Sequence, residues 1–395
     1  MKYADRMGKL NASEIRELLK VTDRPEIISF AGGLPAAELF PIEQMAAACM
    51  TVLENDGEKA LQYSTTEGLA PLRKWIAERE NSRIGTKLTA DNILITHGSQ
   101  QALDLIGKLL INKDDVVLCE SPTYLSALNV FKTFEGNILE VQTDEEGMIV
   151  SDLEQLLAST ANVKLIYAIP TFQNPSGKTW SFERKKQILA IANRYDVAVI
   201  EDAPYEELRY SGEATPPMFS FPQSENVLRT GSFSKILCPG LRIGWIAADS
   251  KVIEKLVLIK QSTDLQSNTF AQRQIFQFIQ DHAIDEHISR LIQVYRLRRD
   301  AAISAIETYF PKNIQYTHPK GGLFIWLELP ESINTTDLLQ KSLEQNVAFV
   351  SGESFYAEKP RYNTMRLNFS CMDEKRIEAG FKILGELISN ELKDE

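Results

Sequence analysis

The sequence predicts an α/β protein built on a mostly parallel sheet, and three observations carry that expectation. Short apolar runs at residues 92–96, 164–169, 197–200 and 227–230 alternate with helix-like stretches at 102–110 and 182–194, the rhythm of strands joined by helical crossovers. The runs lead into loops dense in turn formers and polar side chains, and the carboxyl ends of strands in such a sheet are where ligands bind. The chain has 395 residues, too many for one small core, so the length suggests two or three domains.

Taken in order, residues 12–20 read as a short amphipathic helix ahead of the segment Phe30, Ala31, Gly32, Gly33, Leu34, Pro35. A large unit is expected over residues 55–290. A long helical pattern at 286–309 leads into a smaller α/β unit over 291–395, which holds the apolar stretches 321–328 and 346–350 and a last helix. Residues 1–54 form an N-terminal arm expected to pack on that smaller unit, making it discontinuous in sequence. No low-complexity linker or internal repeat interrupts the chain.

Composition excludes several functions. A formal net charge of −11 opposes broad nucleic-acid binding, so Arg296, Arg298 and Arg299 read as a solvated helix face or subunit contacts. The opening residues carry charges and no apolar stretch, so a signal peptide is not expected, and nothing approaches the roughly 20 apolar residues that span a bilayer. Cys49, Cys119, Cys238 and Cys371 make no Cys-x-x-Cys pair, which fits a reduced, cytoplasmic setting. His97 and His318 stand apart from any ligand cluster, so no metal is expected.

The most informative segment is residues 231–240 with Arg242. After the apolar run 227–230 it sets Lys235 among Ser232, Ser234, a glycine on either side and an arginine. A solvated lysine, with a pKa of roughly 10.4, is almost wholly protonated and a poor nucleophile. Burial or nearby cations must lower it. Arg242 does that while gripping a phosphate, and Ser232 and Ser234 offer hydroxyl donors to the same oxygens. Gly231 lets the backbone approach closely. Such a site suits pyridoxal 5'-phosphate, an aldehyde held by a lysine amine with its phosphate anchored separately. The spacing Ser232-x-x-Lys235 also occurs in penicillin-binding serine enzymes, but their Ser-Asp-Asn and Lys-Thr-Gly elements are absent. Gly177, Lys178 and Thr179 imitate the end of a P-loop, yet the glycine it requires falls at Phe172.

Upstream segments complete the pattern. The run 92–96 turns at Gly98 into a helix, and backbone N–H groups at a helix start attract an anion, which makes Ser99 and Gln100 phosphate contacts. Ser99 is equally suited to cap that helix. The run 164–169 ends in the loop of Asn174, Pro175, Ser176 and Gly177, and the run 197–200 leads to Asp202, Ala203, Pro204 and Tyr205.

Together with Leu61, Gln62, Tyr63 and Ser64, and with Arg366, Leu367 and Asn368, these motifs stand in the order of a known family. The chain resembles the fold-type I, pyridoxal-phosphate-dependent class I/II aminotransferases, in particular the 2-aminoadipate and kynurenine branch, from about residue 11 to the last helix. The resemblance implies a three-layer α/β/α large domain with a mostly parallel sheet and a smaller α/β domain, the aspartate aminotransferase-like architecture. It implies that Lys235 carries the cofactor as a Schiff base and then moves a proton between the substrate α-carbon and the cofactor. It places Asp202 at the pyridine nitrogen, keeping that nitrogen protonated. Asn174 and Tyr205 meet the ring's phenolic oxygen, and Tyr124 stacks on the ring face.

The same resemblance makes Arg366 the anchor of the substrate α-carboxylate, a task suited to a two-pronged guanidinium. Asn174 contributes beside it, and Gly33 offers its backbone next to that carboxylate. Arg16, on a mobile helix over the pocket, stands where it reaches an acidic side chain, or is simply a solvated helix residue. Tyr63 reaches the phosphate of a neighbouring subunit, which implies a homodimer with shared active sites. The implied reaction moves an amino group from an L-amino acid, acidic or bulky, to a 2-oxo acid such as 2-oxoglutarate, by a ping-pong cycle through pyridoxamine phosphate.

Two other outcomes stay open. The same cofactor site serves β-lyases and decarboxylases, because orientation of the scissile bond decides which bond breaks. The fold also occurs as an effector-sensing domain behind a helix-turn-helix, whereas this chain begins almost at the pocket-covering arm. Cys238 before Pro239 departs from the Ser-Pro common in relatives, so a hydroxyl at that position of the phosphate loop is not assumed.

Overall fold

The computed structural model describes residues 1–9, 18 and 24–393. Its strands, in chain order, are β1 (Ile28–Ser29), β2 (Ile93–Thr96), β3 (Val116–Ser121), β4 (Asn137–Asp144), β5 (Gly147–Met148), β6 (Val163–Ala168) and β7 (Ala198–Asp202). They continue with β8 (Val227–Ser232), β9 (Gly244–Ala247), β10 (Gln315–Tyr316), β11 (Phe324–Glu328), β12 (Val347–Ala348), β13 (Val350–Ser351) and β14 (Thr364–Asn368).

Eight strands form one sheet in the order β2-β9-β8-β7-β6-β3-β4-β5. The β8-β7-β6-β3-β4 run is parallel, while β9 runs antiparallel to both β2 and β8, and β5 folds back on β4. β2 and β8 are buried along their whole length and β6 from Leu165 onward, on both faces, which is why these runs read as largely apolar. Successive side chains go to opposite sides: Ile93 and Ile95 join the helices at Ala70–Ile84, Phe182–Arg194 and Thr269–Asp281. Leu94 joins those at Gly98–Leu110, Leu125–Lys132 and Ser250–Thr263. The result is the expected sandwich of helices, sheet and helices.

A second sheet, β10-β11-β14-β13, is antiparallel and packs through Ile325, Leu327, Met365 and Leu367 on the long helix Ile284–Tyr309 and the last helix, Glu374–Glu391. The arm forms a separate two-stranded sheet with a strand of the smaller unit: β1 pairs in parallel with β12, Ile28 opposite Val347.

Three local expectations differ in detail. The stretch 346–350 is not one strand, because β12 pairs with the arm whereas β13 pairs with β14. The strand in 321–328 begins only at Phe324, since Gly321 and Gly322 lie against Phe172, where a Cβ on Gly321 would come within 2.3 Å of the ring. The helix expected from residue 102 begins at Gly98, whose φ of +70° favours glycine.

Candidate active site

Strand ends from the large sheet and strand β14 of the small one converge on a cavity of about 300 Å³. Gly33, Ser99, Gln100, Tyr124, Asn174, Asp202, Tyr205, Ser232, Ser234, Lys235, Arg242 and Arg366 all line it. Of the residues singled out in the sequence, Tyr63 does not. It is 78% exposed, away from this cavity. Arg16 and most of the helix expected at 12–20 lie outside the described residues.

Lys235 stands in the turn that follows β8, and its Nζ donates to the Gly33 carbonyl at 2.6 Å. Burial lowers its pKa to about 8; Cys371 opposes the shift, and Arg366 and Arg242 add to it. Near neutrality the amine is therefore far closer to its unprotonated form than an ordinary lysine.

Asp202 ends β7 and is buried. Thr230 Oγ1 donates to one carboxylate oxygen at 2.6 Å and Tyr167 Oη to the other at 2.9 Å. Burial pushes its pKa up, while those two donors and the charge of Arg229 pull it back. Neither donor was singled out in the sequence. Tyr167 is the fifth residue of β6 and reads there as an ordinary core aromatic, so nothing local marks it.

Arg366 is buried on β14 with its guanidinium 4.3 Å from the Phe324 ring and 5.0 Å from that of Phe355. Nη1 donates to Asn174 Oδ1 at 2.8 Å and Nη2 to the Ala31 carbonyl at 2.6 Å, while Nε is buried without a partner. Burial lowers the pKa to about 10, still above neutrality, so the group remains a cation. Asn174 Nδ2 in turn faces Tyr205 Oη at 3.4 Å. Around Gly33 the backbone is gripped from β14 and beyond: Asn368 Nδ2 donates to Gly32 O at 2.5 Å and Ser370 Oγ to Leu34 O at 2.7 Å.

At the other end of the cavity, Arg242 has a φ of +55° and points Nη2 at the His97 carbonyl, 3.3 Å away, and Nη1 at Ser234 Oγ, 3.5 Å away. Gly98 makes room for it: a Cβ there would lie 2.7 Å from Nη2. Ser99 does not cap the helix, whose N-cap position is His97, and its hydroxyl is buried with no partner. Gly231 serves packing and not ligand approach, because a Cβ on it would meet the Trp245 indole at 2.2 Å. Cys238 is partly buried, and burial raises its thiol to about 11, so it stays uncharged beside this end. Leu34, Ser126, Ile169 and Pro204 also line the cavity and were not singled out as site residues, the three apolar ones because their residue types carry no chemical signature.

The cavity thus gathers two guanidinium groups, a carboxylate and an amine. The family model for class I and II aminotransferases matches residues 26–384. The chain belongs to that family. It is 45% identical over 395 residues to aromatic-amino-acid aminotransferase 1 of Thermococcus litoralis, covering 99% of this chain and 95% of the relative. It is 40% identical to the 2-aminoadipate transaminase of Thermus thermophilus, covering 96% and 95%. Among solved structures, the kynurenine aminotransferase of Pyrococcus horikoshii, in complex with PMP, superposes with a TM-score of 0.94 at 42% identity, covering 99% of this chain and 97% of that one.

This aminotransferase uses pyridoxal phosphate, and the donor set fits it. The unpartnered Ser99 hydroxyl, the N–H groups that open the helix at Gly98, and Arg242 suit a phosphate. The unpartnered Arg366 Nε suits a carboxylate. Among the described residues no helix is long and apolar enough to cross a membrane, and no group of three or more His, Cys, Asp or Glu is gathered to hold a metal.

Proposed function

We propose that the aminotransferase transfers the amino group of an L-amino acid to a 2-oxo acid, with 2-oxoglutarate as acceptor, each substrate leaving before the next enters. The observation that carries this reading is that the Lys235 amine, the Asp202 carboxylate and the Arg366 guanidinium open onto the same cavity.

When bound, pyridoxal phosphate supplies a ring that accepts the electrons left on the substrate α-carbon after its proton is removed. Lys235 is the base that takes that proton and returns one. Its lowered pKa raises the unprotonated share of the amine near neutrality, and its bond to the Gly33 carbonyl aims it. Asp202 offers a negative charge to the ring nitrogen, and the Thr230 and Tyr167 donors favour its ionised form. Tyr205 and Asn174 hold the ring's phenolic oxygen, and Tyr124 covers the ring face. Ser99, Gln100, Ser232, Ser234 and Arg242 hold the phosphate. Arg366, with Asn174 and the Gly33 backbone beside it, holds the α-carboxylate and so orients the bond to be broken.

For the donor we propose acidic or bulky L-amino acids. The relatives named for aromatic amino acids, 2-aminoadipate and kynurenine support that breadth, as do Leu34, Ile169 and Tyr124 in the cavity wall. Arg16 is the residue proposed to meet an acidic side chain. We place the working unit as a homodimer in a reducing, cytoplasmic setting. The exposed Leu61 and Tyr63 support an interface there.

The test is direct. Lys235→Ala is expected to lose covalently held cofactor, read by visible absorbance, together with turnover, and a variant that still transaminates overturns the assignment. Screening donors against 2-oxoglutarate, with parallel double-reciprocal plots expected, checks substrates and order. Arg16→Ala is expected to lose rate with acidic donors alone, and an equal loss across all donors removes that role.

A further inference from the structure

Glu120 is a buried carboxylate outside the cavity lining. It lies on β3 with 2% of its surface exposed. Oε2 accepts the backbone N–H of Ile169 at 2.9 Å, and Oε1 accepts the indole N–H of Trp180 at 2.9 Å. These donors stand at the two ends of loop 169–180. The loop closes on itself where Trp180 N–H meets the Pro170 carbonyl at 2.8 Å and Gln173 N–H meets the Lys178 carbonyl at 2.9 Å. Gln173 adds a tie back to the strand end, Nε2 to the Pro122 carbonyl at 2.7 Å. The indole packs directly against Gly147, with φ of +106°, where a Cβ would lie 2.2 Å from it. Between these anchors the loop carries Asn174 to Arg366 and Tyr205.

We propose that Glu120 is a positioning residue for the active site: by holding both ends of loop 169–180 it sets where Asn174 stands between Arg366 and Tyr205. The inference rests on the reading of Asn174 as a contact of cofactor and substrate. A buried carboxylate is costly unless its donors are fixed, and an apolar residue of similar size would fill the same space without that cost. What the carboxylate adds is two charge-assisted bonds to two separated points of the loop.

No Lys, Arg or His of the described residues pairs with it. The Glu120 charge acts on the Cys119 thiol of its own strand and on the Tyr167 hydroxyl of β6, neither of them cationic. Burial accordingly raises Glu120 to about 7, against the pull of the Ile169, Trp180 and Gln173 donors. Above that pH both oxygens accept. Below it a proton on one oxygen faces an N–H, and the grip on one end of the loop loosens.

The indole N–H resonance of Trp180, assigned by its loss in Trp180→Phe, reads this contact in the full-length holoenzyme. It is expected to titrate with a midpoint near neutrality in the wild type and to stay flat in Glu120→Gln. With kcat/KM measured near pH 8, Glu120→Gln is expected to fall about tenfold or more, the size of a lost charge-assisted bond. Trp180→Phe, which removes one donor and keeps the carboxylate, should lose a comparable factor and stands in if Glu120→Gln does not fold. A flat wild-type resonance, or full kcat/KM in both variants, overturns the proposal. Asn174→Ala separates the two layers: if it too keeps full kcat/KM, the reading of Asn174 fails, whereas a loss there with none in the Glu120 and Trp180 variants sinks Glu120 alone.

Discussion

Arg366 and Asn174 are joined across 192 residues of sequence by a 2.8 Å hydrogen bond from Nη1 to Oδ1. Arg366 belongs to the small antiparallel sheet and Asn174 to a loop of the large parallel one, so this contact ties the two at the proposed carboxylate anchor. Arg366→Lys keeps a cation but loses the planar fork and with it the bond to Asn174. KM for every amino donor is expected to rise by about tenfold or more. Steady-state kinetics with one acidic and one aromatic donor check this, and a rise confined to one donor contradicts a role at the shared α-carboxylate.

Asp202 depends on hydroxyl donors from two different strands. Tyr167→Phe removes one, so burial is less opposed and the Asp202 pKa rises further. The holoenzyme's visible spectrum and kcat should then lose their neutral-pH values at a higher pH than in the wild type as acid is added. Asp202→Asn, which removes the charge outright, is expected to lower kcat by ~100-fold or more. A Tyr167→Phe enzyme with an unchanged pH profile would dissociate that hydroxyl from the tuning.

Lys235 has a folded pKa of about 8 against 10.5 for an ordinary lysine. Between those values the unfolded chain binds more protons than the folded one, so stability rises with pH from 8 to 10.5. Below 8 the protein carries the full cost of a buried ammonium, ~3 kcal/mol for a shift of that size. Cofactor-free Lys235→Met is thus expected to unfold at a higher temperature than the wild type at pH 7, with the difference closing above pH 10. Thermal melts across that range test the sign, and cofactor uptake by the wild type should accelerate with a midpoint near pH 8.

Tyr63 is exposed and away from the cavity of its own chain. If its role lies in a neighbour's phosphate site, Tyr63→Ala weakens cofactor retention. A hybrid dimer of Tyr63→Ala with Lys235→Ala subunits then has one intact site, formed by Lys235 of the Tyr63→Ala subunit and Tyr63 of the Lys235→Ala subunit. In that hybrid the one lysine-bearing site receives a normal Tyr63 and should keep cofactor as the wild type does, whereas Tyr63→Ala homodimers should not. Equal cofactor loss in hybrid and homodimer counts against sharing, and light scattering that finds an active monomer removes it.

The chemistry was legible wherever it sits in a short contiguous segment at a strand end. Lys235, Ser232 and Ser234 share one turn, and Gly98 and Ser99 open one helix. A strand end brings neighbours in sequence together as neighbours in space, so such motifs survive in one dimension. Tyr167, Thr230 and Glu120 were not legible because each acts on a residue from another segment. A tyrosine in an apolar strand looks the same whether its hydroxyl meets a carboxylate or water. The glycines show the converse. Gly231 stands in the phosphate-friendly turn, yet the tertiary fold gives it the Trp245 indole to accommodate.

The amino-acid sequence by itself determined the α/β class and singled out Lys235 and the residues that share its cavity, because hydrophobic periodicity and turn chemistry are local properties of the chain. Only the tertiary structure decided which donors favour the ionised form of Asp202, how Arg366 reaches across to Asn174, and that burial lowers the Lys235 pKa. Those follow from burial and from contacts between distant segments, and desolvation acts on a group only once the fold has closed around it.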